Sequence, residues 1–133
     1  MLSSYAAVMI GGGLGAAARL ALSDFITARC GGGLPLGALA VNVSGCFLIG
    51  LLATVSGADG RALIGYHGRH FLMIGILGGY TTFSTFSLQT LHLAQNGQWL
   101  HAALNILLSV TLCLAGVWLG QLLAQAINHW LAR

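Results

Sequence analysis

The chain has 133 residues, of which 57% are hydrophobic and only 5% are charged. A typical soluble domain is about 25% charged, and five basic and two acidic residues cannot cover the surface of a water-soluble globule. The composition therefore excludes a soluble enzyme and indicates an integral membrane protein. A membrane-spanning helix needs about 20 apolar residues, so the length allows four spans and no separate folded domain.

The apolar stretches predict a single all-α transmembrane domain over residues 1–133, with spans at about 4–22, 36–56, 71–91 and 101–127. The first stretch is predicted to be a span and not a signal peptide, because no basic segment precedes it. Glycine pairs at small-xxx-small spacing predict close contacts between helices. These pairs are Gly11 and Gly15, Gly75 and Gly79, and Gly116 and Gly120.

The arginines are divided almost evenly between the two predicted sides of the membrane. Arg61, Arg69 and Arg133 lie on one side, and Arg19 and Arg29 on the other. Under the positive-inside rule, an asymmetry of Lys and Arg sets the orientation, and three arginines against two are a weak asymmetry. The chain could therefore insert in both orientations and form an antiparallel dimer. The alternative is a single orientation that partner proteins or individual residues fix.

The middle of the third span is poor helix-forming sequence. Gly78 and Gly79 are followed by Tyr80, Thr81 and Thr82, and glycines and β-branched threonines weaken a helix. We predict a break here, which would free carbonyl oxygens of the kind that hard cations such as Na⁺ prefer. The alternative is an unbroken helix whose threonine hydroxyls bond to the preceding turn.

Polar and aromatic side chains near this break predict either helix packing or an anion path. Phe83 and Phe86 are three residues apart and share one helix face, where their electropositive ring edges could meet an anion. Ser84 and Thr85 could offer hydroxyl donors beside them. Asn42 in the second span, and Asn105 with Ser109 at i, i+4 in the fourth, could line a path or bond between helices.

Acidic residues are absent from the interior of every predicted span. A proton-coupled exporter of cationic drugs would therefore lack its coupling group, since proton relays normally use such residues. Arg19, at a span margin, either snorkels to the lipid headgroups or attracts an anion. Both aspartates lie in predicted loops, so no Ser-His-Asp set is available and we predict that the chain is not an enzyme.

Three sequence blocks, in order along the first three spans, resemble the CrcB/Fluc family of fluoride channels. They are residues Gly12–Arg19, Gly37–Gly45 and Gly78–Phe86. The resemblance implies a passive fluoride channel that exports cytoplasmic fluoride and lowers its toxicity. It also implies an antiparallel, dual-topology homodimer with two pores in the cell membrane, which is the inner membrane if the organism is Gram-negative.

The resemblance assigns roles to particular residues. It implies a fluoride pore lined by Asn42, Phe83, Phe86, Ser84, Thr85 and Ser109. Arg19 resembles the family's basic residue near the vestibule. The backbone carbonyls of Gly78 and Thr81 from both subunits would hold a structural Na⁺ on the dimer axis.

Two positions depart from the family pattern. Leu20 stands where an aromatic residue is common, and Ala38 where threonine is frequent, so one pore hydroxyl is missing. The alternative functions are a small-solute or drug exporter of the four-helix dual-topology type and a non-transporting assembly subunit.

Overall fold

The computed structural model describes residues 2–31, 33–56 and 65–131, and every regular element in these ranges is a helix. Residues 57–64, with Asp59 and Arg61, lie outside the described residues, as does Arg133. The elements are α1 (Leu2–Cys30), α2 (Leu36–Val55), α3 (Tyr66–Arg69), a π-helical segment (His70–Leu77), α4 (Gly78–Tyr80), α5 (Phe83–Gln95) and α6 (Trp99–Leu131).

Four helical stretches are long and apolar enough to cross a membrane, in agreement with the predicted fold class. They are Leu2–Cys30, Leu36–Val55, Tyr66–Gln95 and Trp99–Leu131. Three of them extend beyond the predicted spans, because hydropathy locates only the apolar part of a helix that can continue past the bilayer. The first continues until Gly31, whose φ of 69° is the left-handed conformation that commonly ends a helix.

The third span is interrupted at Thr81 and Thr82, which confirms the predicted break. Both residues are extended, with φ and ψ of −78° and 154° at Thr81 and of −150° and 112° at Thr82. α3, the π-helical segment and α4 form the first half of this span, and α5 forms the second half. The π-helical turns of His70–Leu77 were not predicted, since an ordinary apolar sequence gives no signal for them.

Glycines bring α1 against the first half of the third span. A Cβ atom on Gly11 would lie 2.6 Å from the carbonyl oxygen of Phe71. A Cβ on Gly15 would collide with the Ile76 carbonyl, and one on Gly79 with the Gly12 carbonyl. The predicted packing role of these glycines is confirmed.

A second glycine contact joins α2 to α6, the two helices that pack most extensively. A Cβ on Gly120 would collide with the Phe47 carbonyl, and one on Gly116 would lie 3.1 Å from the Val43 carbonyl oxygen. Gly50 on α2 contacts the Val117 backbone in the same way. α2 is therefore held at backbone distance from α6, and its opposite side faces the break.

Candidate functional site

The side-chain amide of Asn42 on α2 pairs with the backbone of the break. Asn42 Oδ1 accepts from the Thr82 N–H at 2.8 Å, and Asn42 Nδ2 donates to the Thr82 carbonyl at 3.1 Å. Thr82 is only 7% exposed, so both backbone groups would lack water if the amide were absent. One side chain thus satisfies both backbone groups of an extended residue that lies between the two helical halves of the span.

This pairing changes which backbone groups are used around the break. In a continuous helix the Thr82 N–H would bond to the Gly78 carbonyl, whereas here it bonds to Asn42. The Thr81 hydroxyl donates to the Leu77 carbonyl at 3.0 Å, which is the bond expected for an unbroken helix. The helix nevertheless ends before Thr81. The Gly78 carbonyl is consequently released from its helical partner.

Thr82 also begins the second half of the span. Its hydroxyl oxygen accepts from the Thr85 N–H at 3.2 Å, which is an N-cap of α5. The same hydroxyl donates to Thr85 Oγ1 at 3.0 Å and lies 3.3 Å from the Ser84 hydroxyl. Three neighbouring hydroxyls therefore converge at the start of α5, where the helix dipole is positive.

An open groove of about 470 Å³, which we call the main groove, lies beside the break between α2, the third span and α6. It brings together most of the predicted site residues, and none of its lining residues is charged. The predicted residues that line it are Asn42, Gly78, Thr81, Phe83, Phe86 and Ser109. The groove thus combines neutral polar groups with aromatic rings.

The two phenylalanines of the main groove form a pair. The ring centroids of Phe83 and Phe86 are 5.3 Å apart and their planes are inclined at 51°, so the predicted shared face is confirmed. Phe83 is 78% exposed in the single chain, while Phe86 is half-buried. The outer ring therefore has most of its surface available for contact with another molecule.

Arg19 and Thr85 do not line the main groove but a separate side cavity of about 520 Å³. Ala38 and Thr82 line this side cavity too, and Thr82 is the residue that borders both spaces. Arg19 is half-buried. All the predicted site residues except Ser84 therefore line one of these two spaces beside the break. Ser84 lines neither of them in the single chain.

Asn105 and Ser109 on α6 are both buried, but only Ser109 lines the main groove. Asn105 Nδ2 donates to the Thr90 hydroxyl at 2.8 Å, and that hydroxyl donates to the Phe86 carbonyl at 2.7 Å. Asn105 therefore makes a hydrogen bond between helices, which was one of the two roles that the sequence left open for it. Sequence reasoning missed Thr90, because threonine is common in membrane helices and nothing marks its partner.

Tyr80 and Ser44 form another contact that the sequence did not reveal. The two hydroxyls lie 2.8 Å apart, and a Cβ on Gly45 would collide with the Thr81 methyl group and lie 3.2 Å from Cδ1 of the Tyr80 ring. The serine and the glycine follow Asn42 on α2, so this short segment contacts both sides of the break. The only signals in the sequence were two polar residues in the second span, Asn42 and Ser44, and a tyrosine in the third.

The family model described as "CrcB-like protein, Camphor Resistance (CrcB)" matches residues 6–121. The chain belongs to the CrcB-like family. The resemblance read from the three sequence blocks is thereby confirmed, and the match covers the groove, the break and most of α6.

Several CrcB-like relatives cover nearly the whole chain, and each is named a fluoride-specific ion channel FluC. The Rhodospirillum rubrum protein is 52% identical over 126 residues, which are 95% of this chain and 98% of the relative. The Methylocella silvestris protein is 50% identical over 94% of this chain and 95% of its own. The Opitutus terrae protein is 48% identical over 96% of both chains.

These findings confirm two broader predictions. With four apolar spanning helices and these relatives, the CrcB-like chain is a multi-pass membrane protein. The relatives are named for a channel, which agrees with the prediction that the chain is not an enzyme.

Proposed function

We propose that this chain is a passive, fluoride-selective ion channel that lets fluoride leave the cytoplasm and so lowers its toxicity. The observation that carries the proposal is the main groove, in which the Asn42 amide, the Ser109 hydroxyl and the Phe83–Phe86 pair lie together without a charged residue. The names of the nearly full-length relatives support the same ion.

A small, strongly hydrated anion needs many weak donors in place of its water. Hydroxyl, amide and aromatic-edge donors supply such contacts without a fixed positive charge that would trap the ion. Asn42 uses one N–H for the Thr82 carbonyl, which leaves the second N–H of its amide for an anion. The positive end of the α5 dipole, beginning at Phe83, favours negative charge at the same level.

The side cavity supplies an entrance in this proposal. Arg19 lines it and would raise the local concentration of anions by its charge, while Thr85 and Ser84 extend the row of hydroxyls from Thr82. Ala38 contributes no hydroxyl to this wall. We expect the ion to pass the break along these hydroxyls and then to meet the phenylalanine rings.

The channel would be an antiparallel, dual-topology homodimer with two pores. Polar groups at membrane depth are tolerated only where protein buries them or water reaches them, yet the main groove is open along one side of the single chain. A second copy that covers the 78% exposed Phe83 would close this side and shield the polar groups from lipid. Nearly even arginines on the two sides are compatible with opposite insertion.

A structural Na⁺ would hold the dimer at the break. The site fits a hard cation, because the Gly78 carbonyl has lost the Thr82 N–H to Asn42 and Thr81 is extended. The carbonyl oxygens of Gly78 and Thr81 from the two copies would bind the ion, which would offset the partial negative charge of the two helix ends. Among the described residues no group of three or more His, Cys, Asp or Glu side chains offers a competing metal site.

Export would need no energy coupling. An inside-negative membrane favours the exit of an anion by about 2.3 kcal/mol per charge per 100 mV. Fluoride that entered as neutral HF and ionised in the cytoplasm would leave by this path. Asp24, which the sequence placed in a loop, lies in the last two turns of α1, outside the apolar stretch 4–22, and no carboxylate lies inside the predicted apolar stretches to couple transport to protons.

The experiment is efflux from liposomes that contain the purified chain, loaded with KF and KCl and given valinomycin so that K⁺ leaves with the anion, and followed with fluoride and chloride electrodes in parallel. We expect the fluoride gradient to collapse while the chloride gradient persists. Equal loss of both ions, or no loss of either from a folded protein in Na⁺, would refute the channel and favour the exporter or the assembly subunit.

A further inference from the structure

Two thiols lie in the wall of the main groove. Cys46 on α2 and Cys113 on α6 both line it, and these two helices pack against each other more extensively than any other pair. Neither is in a disulfide, and each is half-buried. They are far apart in the sequence, so only the packing of α2 on α6 makes them a pair.

The contact between these helices is held by backbone and not by flexible side chains. Gly116 follows Cys113 by less than one turn, and a Cβ placed on it would lie 3.7 Å from Cys46 Cβ. In the next turn, Gly120 lies so close to the Phe47 carbonyl that a Cβ on it would collide with that group. The two thiols are thus preorganised by glycine packing on both helices.

We propose that Cys46 and Cys113 form a dithiol site for a soft, two-coordinate d¹⁰ cation such as Hg²⁺ or Ag⁺. Soft thiolate ligands select such ions over hard cations, and two sulfurs suffice for linear coordination. Binding of Hg²⁺ forms two S–Hg bonds and releases the two thiol protons, with no change in oxidation state. Both cysteines line the groove itself, so an ion that enters the groove can reach the two sulfurs.

The location of the pair gives this site a consequence for transport. Cys113 is one helical turn from Ser109, and Cys46 is one turn from Asn42, and all four line the same groove. A bound cation would fill space and add positive charge beside the Asn42 amide, where it would trap or obstruct an anion. This consequence rests on the proposed channel function, whereas the dithiol site itself does not.

The test uses the Cys30→Ser variant, because Cys30 is an exposed thiol at the end of α1 that would bind mercury by itself. Reduced protein is titrated with HgCl₂, and bound mercury is counted by native mass spectrometry. Thiols that still react with N-ethylmaleimide after denaturation are counted in the same samples. We expect one mercury per chain with both thiols protected, and fluoride efflux reduced to that of empty liposomes until excess dithiothreitol restores it.

Variants that also carry Cys46→Ser or Cys113→Ser show whether both sulfurs act together. Because the second S–Hg bond forms intramolecularly, loss of either thiol is expected to weaken mercury retention by about a hundredfold or more against competing glutathione. The variant without all three cysteines should be insensitive to mercury. Each variant is compared with its own untreated sample.

Three results would overturn the proposal. Two mercury ions per chain would mean that each thiol binds separately, and equal retention by the single variants would mean that one thiol suffices. Full occupancy with unchanged efflux would refute the obstruction. If the untreated protein conducts no fluoride, the proposed channel fails, while mass and thiol counts still decide the dithiol site.

Discussion

Asn42 satisfies both the N–H and the carbonyl of Thr82, at 2.8 and 3.1 Å, and thereby replaces two hydrogen bonds that the broken third span cannot make itself. An asparagine amide has the donor and acceptor of a peptide group, so it can pair with an extended residue as a neighbouring strand would. The break and the donor-lined groove therefore depend on one side chain from α2.

Replacing Asn42 with alanine should destabilise the fold by about 1–3 kcal/mol, because it leaves two buried backbone groups of Thr82 unpaired. The matched control is Asn128→Ala, which removes a single long bond of 3.4 Å to the Thr54 carbonyl and should cost about 0.6 kcal/mol. Unfolding in detergent by SDS titration measures both. Equal costs for the two variants would show that the amide does not support the break.

Replacing Phe83 with isoleucine should abolish fluoride efflux while the dimer still assembles, since an aliphatic side chain has no electropositive ring edge. Phe25→Ile is the control, because Phe25 lies near the end of α1 under the Arg29 guanidinium, 4.4 Å from it, and outside both spaces at the break. Electrode-monitored efflux and size-exclusion chromatography report the two properties. Undiminished efflux in the Phe83 variant would remove this ring from the mechanism.

Two glycines of α1 should respond oppositely to alanine. Gly15→Ala forces a Cβ into the Ile76 carbonyl and should destabilise the protein by about 1–3 kcal/mol. Gly13 has nothing within 4 Å of the added Cβ, so Gly13→Ala should be neutral or stabilising by up to about 1 kcal/mol. A destabilised Gly13 variant would instead indicate that a second molecule packs closely on that face.

Removal of Na⁺ should weaken the proposed dimer, because the carbonyls of Gly78 and Thr81 would then face one another without the proposed cation. We expect efflux and dimer fraction to fall when N-methylglucamine replaces Na⁺, and to recover when Na⁺ returns. Identical dimer fraction and efflux in both buffers would argue against a sodium ion at the break.

The proposed dual topology can be tested at Cys30, which is exposed at the end of α1. In a variant with Cys46→Ser and Cys113→Ser, a membrane-impermeant maleimide added to spheroplasts should label about half of the chains, and all of them after permeabilisation. Complete labelling before permeabilisation, or none, would show a single orientation.

Much of the architecture could be predicted from local sequence. The break was predicted because Gly78, Gly79 and the two threonines weaken a helix by themselves, and the packing glycines because their spacing places them on one face. The helix ends were less predictable. Tyr66 begins a helix ahead of the predicted start at Phe71, because polar residues at a membrane surface do not stop a helix.

The pairing of distant residues could not be predicted. Asn42 offered either a bond between helices or a donor for an ion, and nothing in the sequence showed that Thr82 would take both its oxygen and one N–H. The placement of Cys46 and Cys113 in one groove wall could not be predicted for the same reason, since it depends on how α2 packs against α6. Local helix propensity determines where a helix breaks, whereas tertiary packing determines which side chain bonds to the backbone at the break.

The most direct test of fluoride selectivity is the zero-current potential of the protein in a planar bilayer with opposing fluoride and chloride gradients. A passive fluoride channel should reverse at the fluoride equilibrium potential, about 59 mV for a tenfold gradient, with the sign that fluoride requires. Reversal at zero or at the chloride potential would contradict the account.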